Sequence, residues 1–458
     1  MLGLNLYKDL SPLSDRYGKI VAPLSEYLSE SALIKYRLKI EISYLIALSK
    51  VKVARKLTTA EKSTLKKITE NLGDSDIQNI KNIEEEVHHD IKAIELFLRK
   101  KLKGTSLEDL LELLHYCLTS EDVNNLAYRL MLRDANSNVI LPTLKQLIIN
   151  LKNFSLQNST VIMMARTHGQ DAIPTTLGKE TAIYAVRLFN IYQKLSAFEL
   201  CGKLNGAIGG WNAHAYTELK IDWIKFSKNY VESLGLKFNE FTTQINPYDD
   251  VVGLLSIIHL MNSIMIDFNQ DMWRYISDGW LKQKVEKKSV GSSTMAQKVN
   301  PINFENSEGN AQIANGLIEA LNRTLPISRL QRDLSNSTVI RNIAPTLGHT
   351  LLVLKSAISG LEKVHPDKQD IENYLNNNWS ILAEPLQILL RRHGINDSYN
   401  VVKNQIMGKK LSEKEWRQLI QGLEVSPSIK SEISKLKPSN YIGYCTKIVK
   451  DAEKHINL

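Results

Sequence analysis

Val251–Tyr275 reads VVGLLSIIHLMNSIMIDFNQDMWRY and is apolar on almost every side. Its polar residues Ser256, His259, Ser263 and Asp267 recur at intervals of three and four, so on a helix they form one narrow stripe. A run of about 18 apolar residues is long enough to be considered a membrane span. No other stretch of the chain has this character, and His259 and Asp267 would be costly in lipid. The segment is therefore expected to be the buried central helix of a bundle. Tyr184, Leu188, Ile191, Leu195 and Phe198 repeat the helical spacing elsewhere. Tyr36–Tyr44 alternates apolar and polar residues as a strand does. Ile34, Leu38, Ile42 and Leu45 fit a helix equally well, and no turn signals flank a short strand. Helix is the reading there too.

The wider chain allows long helices. Its 458 residues contain only 22 glycines and 12 prolines, and no proline falls between Pro23 and Pro142 or between Pro174 and Pro247. At 43% hydrophobic and 23% charged, the composition is globular, not disordered. LRKKLKGTSLED, with Gly104, reads as a break, and Ser106 followed by Asp109 resembles a helix start. After Gly360, HPDKQD opens a lysine-rich region of shorter helices. The expectation is an all-α chain of three helical domains: 1–108, a central bundle over 109–360, and 361–458. Cys117, Cys201 and Cys445 are odd in number and far apart, and no C-x-x-C occurs. They are read as free thiols of a reducing compartment. With no basic segment and apolar core at the N-terminus, a cytoplasmic location is expected.

The net charge is +9, from 58 Lys+Arg against 49 Asp+Glu. The lysines are dispersed, without a basic block interleaved with aromatics, so neither nucleic acid nor a membrane is expected as a partner. Small anionic substrates remain.

Five polar blocks carry chemistry. Gly291–Glu308 reads GSSTMAQKVNPINFENSE: a glycine, paired hydroxyls at Ser292 and Ser293, a cation at Lys298 and an amide at Asn300. That combination suits a loop closing over an anion. His88, His89 and Asp90 are adjacent, so they cannot share one helical face, and no H-E-x-x-H spacing supports a metal. Thr119-Ser120-Glu121-Asp122-Val123-Asn124-Asn125 is a helix N-terminus, either a plain cap or an anion-binding one. Ala165–Gln170, ARTHGQ, places His168 between an arginine, a threonine and a glycine turn. Finally SRLQRDLSNSTVIR, Ser328–Arg341, pairs arginines that either grip a phosphate bidentately or form weak surface pairs.

These blocks occur in the order TSEDVNN, ARTHGQ, GSSTMAQKVNP, SRLQRDLSNST. The serine loop resembles the G-S-S-x-M-P-x-K-x-N-P pattern of the fumarase/aspartase superfamily. The whole set, with SPLSDRYG, KVNPINFENSEGN, NNWSILAEPLQ and PSNYIGYCTKIV, resembles the adenylosuccinate lyase family from about Ser11 to the C-terminus. Argininosuccinate lyases, fumarase-like enzymes and non-catalytic homologues such as lens crystallins are the alternatives. Intact His168, Ser292 and Lys298 argue against the last of these.

The resemblance implies β-elimination of fumarate from adenylosuccinate, giving AMP, and from succinyl-aminoimidazole-carboxamide ribotide, without metal or cofactor. By family match Ser292 is the base and His168 the acid. Arg16, Tyr17, Arg332, Ser337 and Arg341 surround the phosphate, and Lys298 and Asn300 the succinyl carboxylates. His88, His89, Asp90, Thr119, Ser120, Gln244, Val299, Asn306, Thr338, Val339 and Ile340 complete the implied substrate contacts. A homotetramer with sites drawn from three subunits is also implied. The chain departs from the family at Ala296, where proline is usual. It departs again at Asn246 and Tyr248, where a glutamate and a histidine are usual, and in Glu86-Val87-His88 ahead of His89-Asp90.

Overall fold

The structure is a computed structural model that describes residues 9–284, 295 and 297–458. It is 67% helical. The expectations at Gly291, Ser292, Ser293 and Ala296 fall outside the described residues. The chain forms two compact units. One comprises residues 1–143, 193–263 and 310–352, and the other 144–192, 264–309 and 353–458. Every boundary lies inside a long helix: Leu141–Gln157, Leu177–Ser196, Asp249–Ser277, Ile302–Thr324 or Ile343–Lys363. Domain limits at 108 and 360 divide the chain along its length, a different partition from these interleaved units.

Asp249–Ser277 is a helix, as its sequence predicts. By length and composition it is able to cross a membrane, yet half of its apolar window is buried inside the protein. Its polar stripe is satisfied partly within the helix and partly by distant partners, His259 by Glu319 at 3.3 Å and Asp267 by Arg187 at 2.6 Å. Ser256 and Ser263 donate to the carbonyls of Val252 and His259, at 2.7 and 2.9 Å.

In the first unit, Glu30–Lys50 is helical and starts at Ser29, whose hydroxyl accepts from the Ala32 amide at 3.1 Å. The strand-like alternation of Tyr36–Tyr44 has a plain cause. Arg37 and Glu41 are as buried as Leu38, Ile40 and Ile42, so the helix is enclosed on several sides and its charged residues mark no solvent face. Ser106 does not cap a helix. A short 3-10 helix begins at Glu108 without side-chain capping, and Asp109 instead pairs with Arg55 at 2.6 Å. The helix Ser120–Ala135 passes through a π turn, Asn136–Ile140, just before Pro142, where the chain loses a backbone donor.

Helix is not continuous. Among the described residues three two-stranded pairings interrupt it: Ile162–Thr167 (β1) with Gln170–Thr176 (β2), Cys201–Gly202 with Lys237–Phe238, and Leu281–Gln283 with Val364–Pro366. The first is an antiparallel hairpin whose turn residues are His168 and Gly169. In the second unit Asn269 donates to Ser307 at 2.8 Å, and Ser307 donates to the Val353 carbonyl at 2.9 Å. The lysine-rich end is made of helices of seven to eleven residues, as expected after Gly360.

Candidate functional site

A cavity of about 620 Å³ opens in the first unit. One wall is the junction between the helices Asp74–Val87 and Asp90–Leu102. His88 ends the first helix at φ 54°, a left-handed value that histidine tolerates better than most residues. His89 caps the second, its Nδ1 accepting from the Lys92 amide at 3.2 Å. Nδ1 being the acceptor, the proton of the neutral ring belongs on Nε2. Asp90 receives Arg37 Nη2 at 2.5 Å and the Ile91 amide at 2.8 Å. Burial works to raise the Asp90 pKa, but Arg37 and the Ile91 N–H outweigh it, and the carboxyl lies below its ordinary value. Arg37 in turn donates through Nε to Asn124 at 2.9 Å.

A second wall is the start of the helix Ser120–Ala135. Thr119 and Asp122 form a reciprocal capping box, with the Thr119 amide 2.9 Å from the Asp122 carboxylate. Asp122 also takes the amide of Asn205 at 3.0 Å and the ammonium of fully buried Lys203 at 3.0 Å. Beside it Glu121 faces the cavity. Burial raises its pKa against the pull of Arg332, Lys203 and Arg129.

The third wall combines Tyr248 with the segment Arg332–Arg341. Arg129 is fully buried and grips both oxygens of Asp250 at 2.9 Å, while its Nη2 donates to the Pro247 carbonyl at 2.9 Å. That fork holds the turn carrying Tyr248. Arg332 donates to Gln244 Oε1 at 3.0 Å and lies 3.5 Å from Glu121. Ser337, Thr338 and Ile340 line the cavity from the short helix Ser335–Ile340, followed by Arg341, 3.6 Å from Glu30. Lys81 is held closely by Glu84, at 2.7 Å. Arg332 and Arg341 have the looser carboxylate contacts, flanked by two hydroxyls. The arrangement suits a phosphate.

Of the residues singled out from sequence, the structure brings His88, His89, Asp90, Ser120, Arg332, Ser337, Thr338, Ile340 and Arg341 together around this cavity. Thr119, Gln244, Val339, Arg16 and Tyr17 belong to the same unit without lining it. Thr119 caps, and Gln244 orients Arg332. Arg16 lies over the Tyr17 ring at 5.8 Å. The motif reading missed Arg37, Lys81, Tyr128 and Tyr248 as wall residues. In the sequence Tyr248 stands out only as a departure from the family pattern. Arg37, Lys81 and Tyr128 carry no local signal, each being a single polar position within a longer helix.

His168, Lys298, Val299, Asn300 and Asn306 belong to the second unit. His168 is exposed at the tip of the β1–β2 hairpin, with φ 52°. The Lys298 amide donates to the Met295 carbonyl at 3.1 Å, and the Val299 carbonyl accepts from Gln283 at 2.9 Å. Asn306 donates to Ser356 at 2.8 Å. Among the described residues no group of three His, Cys, Asp or Glu side chains is arranged to hold a metal.

Comparison with known proteins gives two family matches. The family described as "Lyase" matches residues 15–316, and that described as "Adenylosuccinate lyase C-terminal" matches 328–442. The chain is 40% identical to an adenylosuccinate lyase of Buchnera aphidicola subsp. Schizaphis graminum, covering 97% of this chain and 99% of that protein. It is 39% identical to one from Escherichia coli K12, covering 95% and 96%. In fold it is similar to a fumarate lyase from Mesorhizobium sp. BNC1, with a TM-score of 0.77 at 16% identity over 94% of this chain and 97% of that one.

Proposed function

The chain belongs to the adenylosuccinate lyase family, and from that premise we infer that it cleaves adenylosuccinate to AMP and fumarate in purine nucleotide synthesis. The analogous cleavage of succinyl-aminoimidazole-carboxamide ribotide follows from the same chemistry. The observation that carries the reading is the cavity that sets Arg332, Arg341, Ser337 and Thr338 opposite His88, His89 and Ser120. Cations and hydroxyls on one side match a nucleotide monophosphate.

The reaction removes a weakly acidic proton from the carbon beside a succinyl carboxylate and expels a purine amine. It therefore needs a base, an acid and cations around the developing dianion. In our reading Ser292 takes the carbon proton, the C–N bond breaks, fumarate departs, and His168 gives its proton to the leaving nitrogen. The exposed imidazole at the hairpin tip supports the acid assignment. Lys298 and Asn300 are the proposed carboxylate partners, and Arg16 and Tyr17 join the phosphate set. From the family membership we also propose that complete sites form in a homotetramer from residues of several subunits.

Purified protein mixed with adenylosuccinate should release AMP and fumarate in equal amounts. Turnover of argininosuccinate or malate instead would overturn the assignment. Mixing the impaired His168→Ala and Arg332→Ala proteins should restore part of the activity if sites are shared. No recovery after verified subunit exchange would count against shared sites.

A further inference from the structure

The β1–β2 hairpin pairs Thr167 with Gln170 and Arg166 with Asp171, leaving His168 and Gly169 as a two-residue turn at φ 52° and 73°. Both turn residues have positive φ, the geometry of a type I′ connection. Histidine tolerates a left-handed φ better than most residues, yet the turn still costs a non-glycine residue some strain, which the surroundings must hold in place. The tip itself is exposed, so the constraint comes from the hairpin's base.

That base is charged and largely enclosed. The Arg166 and Asp171 side chains are 18% and 14% exposed and stand 3.6 Å apart across the strands. Arg166 also pairs with Asp278, and its guanidinium lies over the rings of Trp280 at 4.6 Å and Tyr374 at 5.5 Å. It donates to the Tyr374 hydroxyl at 3.2 Å, and that hydroxyl donates onward to Asp171 at 2.8 Å. Asn378 adds a second donor to Asp171 at 3.0 Å. The residues two before and three after His168 are thus tied to a single tyrosine on the helix Lys368–Asn376. Buried ion pairs often stabilise a fold no better than apolar residues of similar size. What this one supplies is direction: planar, forked contacts fix the orientation of a strand more tightly than apolar packing does.

We propose that Arg166, with Asp171 and Tyr374, is a positioning unit for His168, aiming the hairpin tip without touching substrate. The inference rests on His168 being the acid. Tyr374→Phe keeps the ring beneath the guanidinium and removes both hydroxyl contacts; Arg166→Lys keeps the charge and removes the fork. A misplacement of about 1 Å costs a catalytic group up to about 100-fold. Arg166→Lys should therefore lower kcat by roughly 10- to 100-fold, and Tyr374→Phe by about 10-fold, with KM for adenylosuccinate changed less than about 2-fold. Each substitution is then repeated in a His168→Ala background. There it should cost nothing further, because no acid remains to be aimed.

Full additivity, or unchanged kcat in both single variants, would overturn the inference while leaving His168 as the acid. A His168→Ala protein with normal turnover would remove the acid assignment and the inference together. Should Arg166→Lys fail to fold, the milder Tyr374→Phe carries the same cycle.

Discussion

Arg332 is the sharpest test of the nucleotide cavity, because its present partners set what a ligand must gain. Its Nη1 donates to Gln244 at 3.0 Å, and its Nη2 lies 3.5 Å from Glu121, whose side chain is only 4% exposed. A hydrogen bond to a charged group contributes about 1.5–3 kcal/mol, or roughly 10- to 150-fold in affinity. Arg332 does not come to a phosphate empty-handed, since contacts to Glu121 are partly exchanged, so the lower part of that range is expected. Arg332→Ala should weaken AMP binding about 10- to 100-fold. Arg332→Lys should recover little, because an ammonium does not reproduce the fork. Glu121→Gln should act in the opposite sense. Removing a carboxylate 3.5 Å from the guanidinium frees Arg332 and lessens repulsion of the phosphate, so AMP should bind several-fold more tightly. Titration calorimetry with AMP at fixed salt reads all three variants. Dissociation constants within about 2-fold of the parent for both Arg332 variants would remove it from the phosphate site. Weaker binding by Glu121→Gln would refute the exchange argument specifically.

Three other outcomes are expected. Asp250→Asn leaves fully buried Arg129 without its counter-charge; breaking such a pair costs about 3–5 kcal/mol, read as a lower urea midpoint, and the Arg129→Met/Asp250→Asn double variant should lose less than the sum, full additivity showing the pair to be uncoupled. His115 is bonded to buried Glu41 at 2.6 Å; burial opposes its charged form, but Glu41 prevails and its pKa is raised above 6.5. Its stabilisation is therefore complete below about pH 6.5 and lost as pH rises through the folded value, so the melting temperature should fall from pH 6 to 9 more steeply for the parent than for His115→Gln, and parallel curves would refute the pairing. Ser292→Ala should abolish turnover while leaving AMP affinity within about 2-fold, since the hydroxyl acts only in the chemical step; near-normal kcat would place the base elsewhere.

How much of this was readable from sequence differs by the range of the interaction. The helix Asp249–Ser277 announces itself because its apolar residues and its stripe of Ser256, His259, Ser263 and Asp267 are all local. So does the cap at Thr119, whose amide is satisfied by Asp122 three residues on. The β1–β2 hairpin was not legible as strands. IMMART is short, its burial is not strictly alternating, and its turn signal is a His-Gly pair, not Asn-Gly. Tertiary contacts at Arg166 and Asp171 supply what the local pattern lacks.

The cavity shows the same division more strongly. Arg332, Ser337, Thr338 and Arg341 stand within ten residues of one another, so the sequence alone offers them as a phosphate grip, with weak surface ion pairs as the alternative. Arg37 cannot be found that way. It interrupts an apolar helix, and its partners Asp90 and Asn124 are 53 and 87 residues distant. From sequence it is indistinguishable from a solvated charge, and its burial alone reveals that it fixes the His89-Asp90 corner. Glu121 lies inside a recognisable motif, but its raised pKa comes from burial, which outweighs the pull of Arg332 and Lys203 from distant segments and of Arg129 on its own helix. Motifs therefore expose the groups proposed to meet a ligand. The groups that hold those in place are paired across the fold, and only geometry identifies them, which is why the tests that separate aiming from chemistry fall on Arg166, Arg129 and Glu121.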